Sequence, residues 1–157
     1  GETYAYPRMH HPWAPPSWGA GCSPPYAQGI VLAHAIADSD ETLQWLHTGI
    51  DLALGANALN RSFITGLGDD PIVGPAHING WHTWQGIVPP GLQSEGPQGD
   101  TYDLGDSNLV PSGAAYPTMH HYYDTRYNIP MHEPVMVNFG SVATVLTALK
   151  ADSPNVP

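Results

Sequence analysis

The chain has 157 residues, about one ordinary domain, and carries 4 Lys+Arg against 14 Asp+Glu for a formal charge of −10. That balance excludes a nucleic-acid binder, which needs a basic face to displace counterions from phosphates, and argues equally against docking on an anionic membrane. No stretch approaches the roughly 18 consecutive apolar residues of a spanning helix, and the opening Gly1-Glu2-Thr3-Tyr4 lacks the basic-then-apolar layout of a signal peptide, as if any such segment were already removed.

Three helices are predicted. The first begins near Ser23, an N-cap candidate, with Pro24 at the first helical position, where its missing N–H is harmless. Tyr26, Ile30, Ala33 and Ala37 recur on one face. The connection Asp38-Ser39-Asp40 leads into a second helix with the stripe Leu43, Leu46, Ile50 and Leu54, stopped by Gly55. So short a link implies an antiparallel αα-hairpin. The third helix starts just after Pro134, with Val135, Phe139, Val142, Leu146 and Leu149 on one face, and ends in the tail Ser153-Pro154.

Between Gly55 and Pro134 the chain is dense in Gly, Pro, Asn and Asp, and nearly eighty residues of loop in a compact domain imply that the loops are functional. Three amphipathic helices cannot cover so much loop. The expectation is therefore a single region, 1–157, belonging to a larger helical domain or completed by a partner chain. The echo of Ala5-Tyr6-Pro7 with Met9-His10-His11 in Ala115-Tyr116-Pro117 with Met119-His120-His121 has no matching flanks and is not a repeat period.

Only 11% of the residues are charged, yet five Trp and eight Tyr are too aromatic for a disordered tail. Trp13, Trp18, Trp81, Trp84, Tyr102, Tyr116, Tyr122, Tyr123 and Tyr127 all fall in the loops. Flat rings stack on the C–H faces of sugars, and neighbouring Asn, Asp and His meet the hydroxyls, so these loops suit a neutral carbohydrate. The same rings could equally fill the space beneath long loops.

Cys22, the single cysteine, excludes an internal disulfide and a multi-cysteine zinc site. The nine histidines include neither an HExxH helix nor a metal-binding sequence of recognised spacing, although His10, His11, His120 and His121 would form a transition-metal site if their loops met. A structural calcium is the other metal reading, on Asp69, Asp70, Asp100, Asp103 or Asp106. No Gly-x-Ser-x-Gly elbow is present, and Gly66-Leu67-Gly68 does not continue as a nucleotide loop. Among the carboxylates Glu133 stands out, after an aromatic loop and immediately before Pro134 and the third helix. Rings around it would shield it from water, as suits a general acid, while the following helix dipole favours the ionised form. An ordinary helix-start carboxylate is the plainer alternative.

Taken together, these residues resemble the C-terminal part of the catalytic domain of glycoside hydrolase family 9. The stretch from Leu54-Gly55-Ala56-Asn57 through Ser62-Phe63-Ile64-Thr65-Gly66-Leu67-Gly68 is similar to that family's LG-x-NP…S-[FY]-VTG-x-G sequence. Pro90-Gly91-Leu92 and Gly96-Pro97 resemble its PG-[LI]…GP loop, and Tyr122-x-Asp124 followed by Glu133 has the spacing of its second signature. The ordered resemblance runs from about Trp18 to Leu149. It implies a mainly α fold, part of an (α/α)6 barrel, and a secreted hydrolase acting on a β-glucan-like polysaccharide or oligosaccharide with inversion. The resemblance makes Glu133 the catalytic acid, puts Asp124 in the catalytic motif without making it the base, and suggests His77, Trp81, Trp84, Tyr122 and Tyr123 as sugar contacts.

Four departures stand against it. Where the first signature has His-x-Arg, this chain has Ala76-His77-Ile78-Asn79, so the arginine is missing in either register. Ile129 replaces an aromatic ring, and His132 stands before Glu133 where Asn is common. The Asp-Ala-Gly-Asp motif that carries the base is absent, so the base must come from a missing N-terminal part of the domain or a partner chain. The alternative is a non-catalytic relative that binds glycan or serves in an assembly.

Overall fold

A computed structural model describes residues 27–82, 87–97, 120, 122–127, 129–134 and 136–153. Among the described residues five helices occur in this order: α1 Ala27–Ala37, α2 Asp40–Leu54, α3 Ile78–His82, α4 Ile129–His132 and α5 Met136–Asp152. The long segment between α2 and α5 contributes two short helices and an isolated antiparallel bridge between Ile64 and Gln93. Ser23, Pro24 and Tyr26 lie outside the described residues.

The three long helices pack against one another in every pairing. Leu46, Ile50 and Ala53 of α2 meet Val142 and Val145 of α5, and Ile30 and Val31 of α1 close the cluster together with Leu54, Leu146 and Leu149. Leu46, Ile50 and Leu54 of the α2 stripe and Val142, Leu146 and Leu149 of the α5 stripe therefore face inward as expected, while Val135 and the Phe139 side chain lie outside what is described. For α1 the expected stripe is corrected. Ile30 does pack inward, but Ala33 and Ala37 are exposed, and the buried face runs through Val31 and His34 instead. The reason is that α1 is apolar all round, so periodicity alone cannot choose a face. Its outer residues Leu32 and Ile36 are 62% and 78% exposed.

The α1–α2 link is short because Asp38 takes a left-handed backbone conformation, φ 44°, and Ser39 at once caps α2. The Ser39 hydroxyl accepts a bond from the Thr42 amide, filling one of the donors that a helix start leaves open. Ser39→Ala is expected to lower stability by about 1 kcal/mol. Urea denaturation monitored by far-UV circular dichroism would measure it.

At its other end α2 stops at Gly55, φ 130°, as its sequence suggests. The last four carbonyls of the helix are then met one by one by the chain that follows. The Asp51 carbonyl accepts from Ala56, Leu52 from the Asn57 side chain, Ala53 from the Phe63 amide and Leu54 from the Asp69 amide. These bonds fold residues 56–69 back over the helix end. The close approach explains Gly68: a Cβ there would lie 2.3 Å from the Leu54 carbonyl oxygen, at φ +75°.

Candidate active site

From this anchored turn the chain builds a second, smaller core. Phe63 and Ile72 are fully buried and pack with Leu59 and Tyr122. Thr65 ties the Pro89–Leu92 loop to it: its amide donates to the Leu92 carbonyl at 2.9 Å and its hydroxyl to the Pro89 carbonyl at 2.7 Å. The Gly91 and Leu92 amides return bonds to the Thr65 carbonyl and hydroxyl. Two sequence motifs separated by more than twenty residues thus form one scaffold.

Asp124 fastens the next layer. Its Oδ1 accepts from the Gly74 amide at 2.8 Å, and its Oδ2 from the Val73 amide at 3.0 Å and from Arg61 Nη1 at 3.3 Å. Gly74 leaves room for this contact, since a Cβ there would sit 3.0 Å from Oδ1. Arg61 is itself held by Asp70, whose Oδ2 accepts from both Nε and Nη2. The Asp70 bond, followed by the Asp70 and Asp124 charges, pushes the guanidinium above its ordinary pKa despite partial burial. Asp124 therefore clamps residues 73–74 to the 122–125 loop, with both oxygens occupied.

Behind the clamp lies His132, with no exposed surface. Its Nε2 is 2.5 Å from the Tyr123 carbonyl, so this nitrogen carries the proton and donates. The Thr125 amide donates to the same carbonyl at 2.8 Å. The other nitrogen faces the Tyr122 hydroxyl at 3.5 Å, and the Tyr122 ring is sandwiched between Phe63, edge-on at 5.0 Å, and the imidazole at 4.8 Å. Burial lowers the His132 pKa, outweighing the nearby Asp124 charge.

A pH dependence follows with a definite sign. Below an ordinary histidine value of about 6.5 the unfolded chain takes up a proton that folded His132 refuses. Stability is therefore full above that pH and falls as the pH drops from there toward the lowered folded value. Denaturation free energies between pH 7.5 and about 5 should show this slope, and His132→Gln should flatten it.

Glu133 follows directly. The amide of Ala76 donates to the His132 carbonyl at 2.9 Å and that of Gly96 to the Met131 carbonyl at 3.0 Å. The backbone leading into Glu133 is thus fixed from both the 74–76 segment and the Gly96-Pro97 loop, between the end of α4 and the start of α5. The Glu133 side chain is exposed in this chain. Of the aromatic residues expected at the sugar, Tyr122 is turned into the second core, and half-buried Tyr123 holds His132 through its carbonyl. Trp81 lies in the last turn of α3, and Trp84 is outside the described residues. His77 opens α3: its Nδ1 accepts from the Gly80 amide at 3.0 Å, so in the neutral ring Nε2 bears the proton.

For the metal readings, His120 is exposed, while His10, His11, His121, Asp100, Asp103 and Asp106 lie outside the described residues. Asp70 is committed to Arg61. Among the described residues the His/Asp/Glu group close enough to share an ion is instead His34, Asp38 and Asp152, remote from these loops in the helical layer. No helix among them is long and apolar enough to cross a membrane.

The order in which these loops meet is that of a known family, and the family model for "Glycosyl hydrolase family 9" matches residues 6–146. The chain belongs to glycosyl hydrolase family 9. Two solved structures, a metagenome-derived family 9 endoglucanase and the family 9 endoglucanase J30, superpose with TM-scores of 0.62 and 0.66. Each is 24% identical over 84% of this chain, which spans 22% and 24% of their respective lengths. A single mutant of a thermostable endoglucanase from Alicyclobacillus acidocaldarius has a TM-score of 0.61 at 22% identity, over 78% of this chain and 22% of its own. No curated protein matches by sequence. The helices accordingly form part of an (α/α)6 barrel, the fold of the family 9 endoglucanases.

The signal missed in the sequence is the set of residues that hold the 122–125 loop in place: Arg61 and His132, described above, and Ser94, whose hydroxyl lies 3.3 Å from that of Tyr122. Arg61, Ser94 and His132 are ordinary polar residues in sequence. Only their convergence on Tyr122 and Asp124 reveals their part.

Proposed function

We propose that this chain is the C-terminal portion of the (α/α)6 catalytic domain of an exported β-glucan hydrolase. Glu133 acts as the general acid that protonates the departing glycosidic oxygen. The base that activates water on the opposite face of the sugar is supplied from outside these 157 residues, so the anomeric carbon inverts. The observation that carries the reading is the pair of backbone bonds from Ala76 and Gly96 onto the two residues preceding Glu133. The 74–76 segment and the Gly96-Pro97 loop thus both fix the backbone that carries one exposed carboxylate. The outer apolar face of α1, Leu32 and Ile36, supports a larger helical domain, because a helix apolar all round is ordinarily covered on all sides.

Asp124 serves this reaction as a positioning residue and His77 and Tyr123 contact the sugar, with Trp81 and Trp84 as the further contacts that the family resemblance suggests. A structural calcium on the loop aspartates belongs to the same reading, and chelation followed by a thermal melt tests it. The full-length enzyme should release reducing ends from a β-1,4-glucan. Proton NMR during early hydrolysis should show the α-anomer first, and a β-anomer first would overturn inversion.

A non-catalytic glycan-binding protein is the second reading. It is favoured by one observation: Ile78 or Asn79, depending on register and both exposed, stands where the family signature carries its arginine. Oligosaccharide binding without hydrolysis by the full-length protein would select it.

A further inference from the structure

The α1–α2 turn and the end of α5 hold a second cluster of chemistry-bearing residues, which the glycosidase reading does not use. His34 from the last turn of α1, Asp38 from the turn and Asp152 from the last residue of α5 each offer an atom, all within 4.8 Å of one another. They border a cavity of about 450 Å³ whose wall is otherwise apolar, including Val31, Ala148 and Ala151.

The hydrogen bonds around His34 fix its tautomer. The Thr42 hydroxyl has one proton, and it donates this to the Ser39 carbonyl at 2.8 Å. Thr42 Oγ1 must then accept from both remaining neighbours, the Ser39 hydroxyl at 2.9 Å and His34 Nδ1 at 2.9 Å. Nδ1 therefore carries the proton of the neutral imidazole, and Nε2 presents its lone pair to the cavity. That lone pair faces Asp152 Oδ1 at 3.5 Å. Two acceptors at this distance repel until either a proton on Nε2 or a metal cation lies between them, and Asp38 adds a second carboxylate to the same point.

We infer that His34, Asp38 and Asp152 bind a divalent transition-metal cation of the zinc type. The donor set decides the class. One imidazole nitrogen with two carboxylates and a water suits four-coordinate zinc, whereas calcium and magnesium take oxygen ligands. Zinc ligands at about 2.0–2.2 Å stand about 3.3–3.6 Å apart in a tetrahedron, which the Nε2–Oδ1 separation already meets. Asp38 and Asp152 are exposed and free to close the remaining distance. Thr42 supplies the outer partner that metal-ligating histidines use to hold the ring in orientation. The C-terminal ends of α1 and α5 both reach the cavity, and their dipoles add negative potential where the cation sits. The ion would pin α1, the turn and α5 together at one point.

The test uses the full-length protein, stripped with chelator, in three forms: wild type, His34→Gln and Asp152→Asn. Elemental analysis after equilibration with zinc should show one more equivalent in the wild type than in either variant. Zinc should raise the wild-type Tm to a plateau at stoichiometric metal, and cobalt(II) should give visible d–d bands that both variants lose. Asp152 is exposed at the helix end, so its variant reports even if His34→Gln misfolds. Equal zinc content in wild type and Asp152→Asn would overturn the assignment. So would a Tm response to calcium with none to zinc. Loss of this site while glucan hydrolysis persists separates it from the proposed active site.

Discussion

Glu133→Gln is expected to lower kcat of the complete enzyme on β-1,4-glucan by about 10²–10⁴-fold, with KM little changed. Glutamine keeps the size of the side chain and loses the transferable proton, so substrate contacts survive and leaving-group protonation does not. Because Glu133 is exposed and its placement comes from backbone bonds to Met131 and His132, the variant should keep the wild-type Tm. That combination of a large loss in kcat and an unchanged melt is what an acid on a rigid platform produces. Substrates with a good leaving group, such as dinitrophenyl cellobioside, need less acid assistance and should recover much of the lost rate. Retained activity on glucan, or an equal loss on both substrates, would remove Glu133 from the role of acid.

Asp124→Asn should instead act first on the fold, costing about 3 kcal/mol. The side chain is 11% exposed and accepts from two backbone amides and Arg61. An amide in its place keeps one acceptor and turns an NH₂ group toward a neighbour that also donates. Bonds to charged groups are each worth about 1.5–3 kcal/mol, and Arg61 retains Asp70 as a partner, which moderates the loss. Denaturant titration measures this term. Because Asp124 bonds the Val73–Gly74 segment that leads to Ala76, kcat should fall in the complete enzyme with little change in KM. A small substrate with a good leaving group should not rescue that loss as it does for Glu133→Gln, since displacement of the platform affects more than the proton. Wild-type stability in Asp124→Asn would mean that the clamp does not hold the loop.

These two residues differ in how far they can be read in advance. Glu133 is identified by its spacing from Asp124 and its place before Pro134. Its exposure is not, because sequence leaves a ring-shielded acid and an ordinary helix-start carboxylate both open, and the choice depends on where distant loops go. Asp124 can be placed in a motif, yet its role rests on amides about fifty residues earlier in the chain. Tyr122 shows the same limit. Composition makes any loop tyrosine a sugar platform or a packing residue alike, and here Phe63 and His132 settle the orientation of its ring.

The helices were more legible. Ser39 and Gly55 mark the ends of α2 through local chemistry, a hydroxyl that caps an amide and a residue free to take positive φ. Leu46, Ile50, Val142 and Leu146 recur at the helical period and do form the core. α1 could not be oriented in this way, because an apolar residue on every side carries no direction. Nothing along the chain sets His34 apart from other helical histidines, and only the approach of α5 puts Asp152 beside it.

Sequence alone determined what depends on neighbours along the chain: helix limits, amphipathic faces, the order of the family motifs and the position of Glu133. Tertiary structure decided what depends on residues far apart in sequence. It made Asp124 a clamp, buried His132 as a neutral imidazole, left Glu133 at the surface and gathered His34, Asp38 and Asp152 at one cavity. The physical reason is that capping and periodicity act within a few residues, whereas burial, tautomer and ion pairing are set by whichever groups the folded chain brings within a few ångströms.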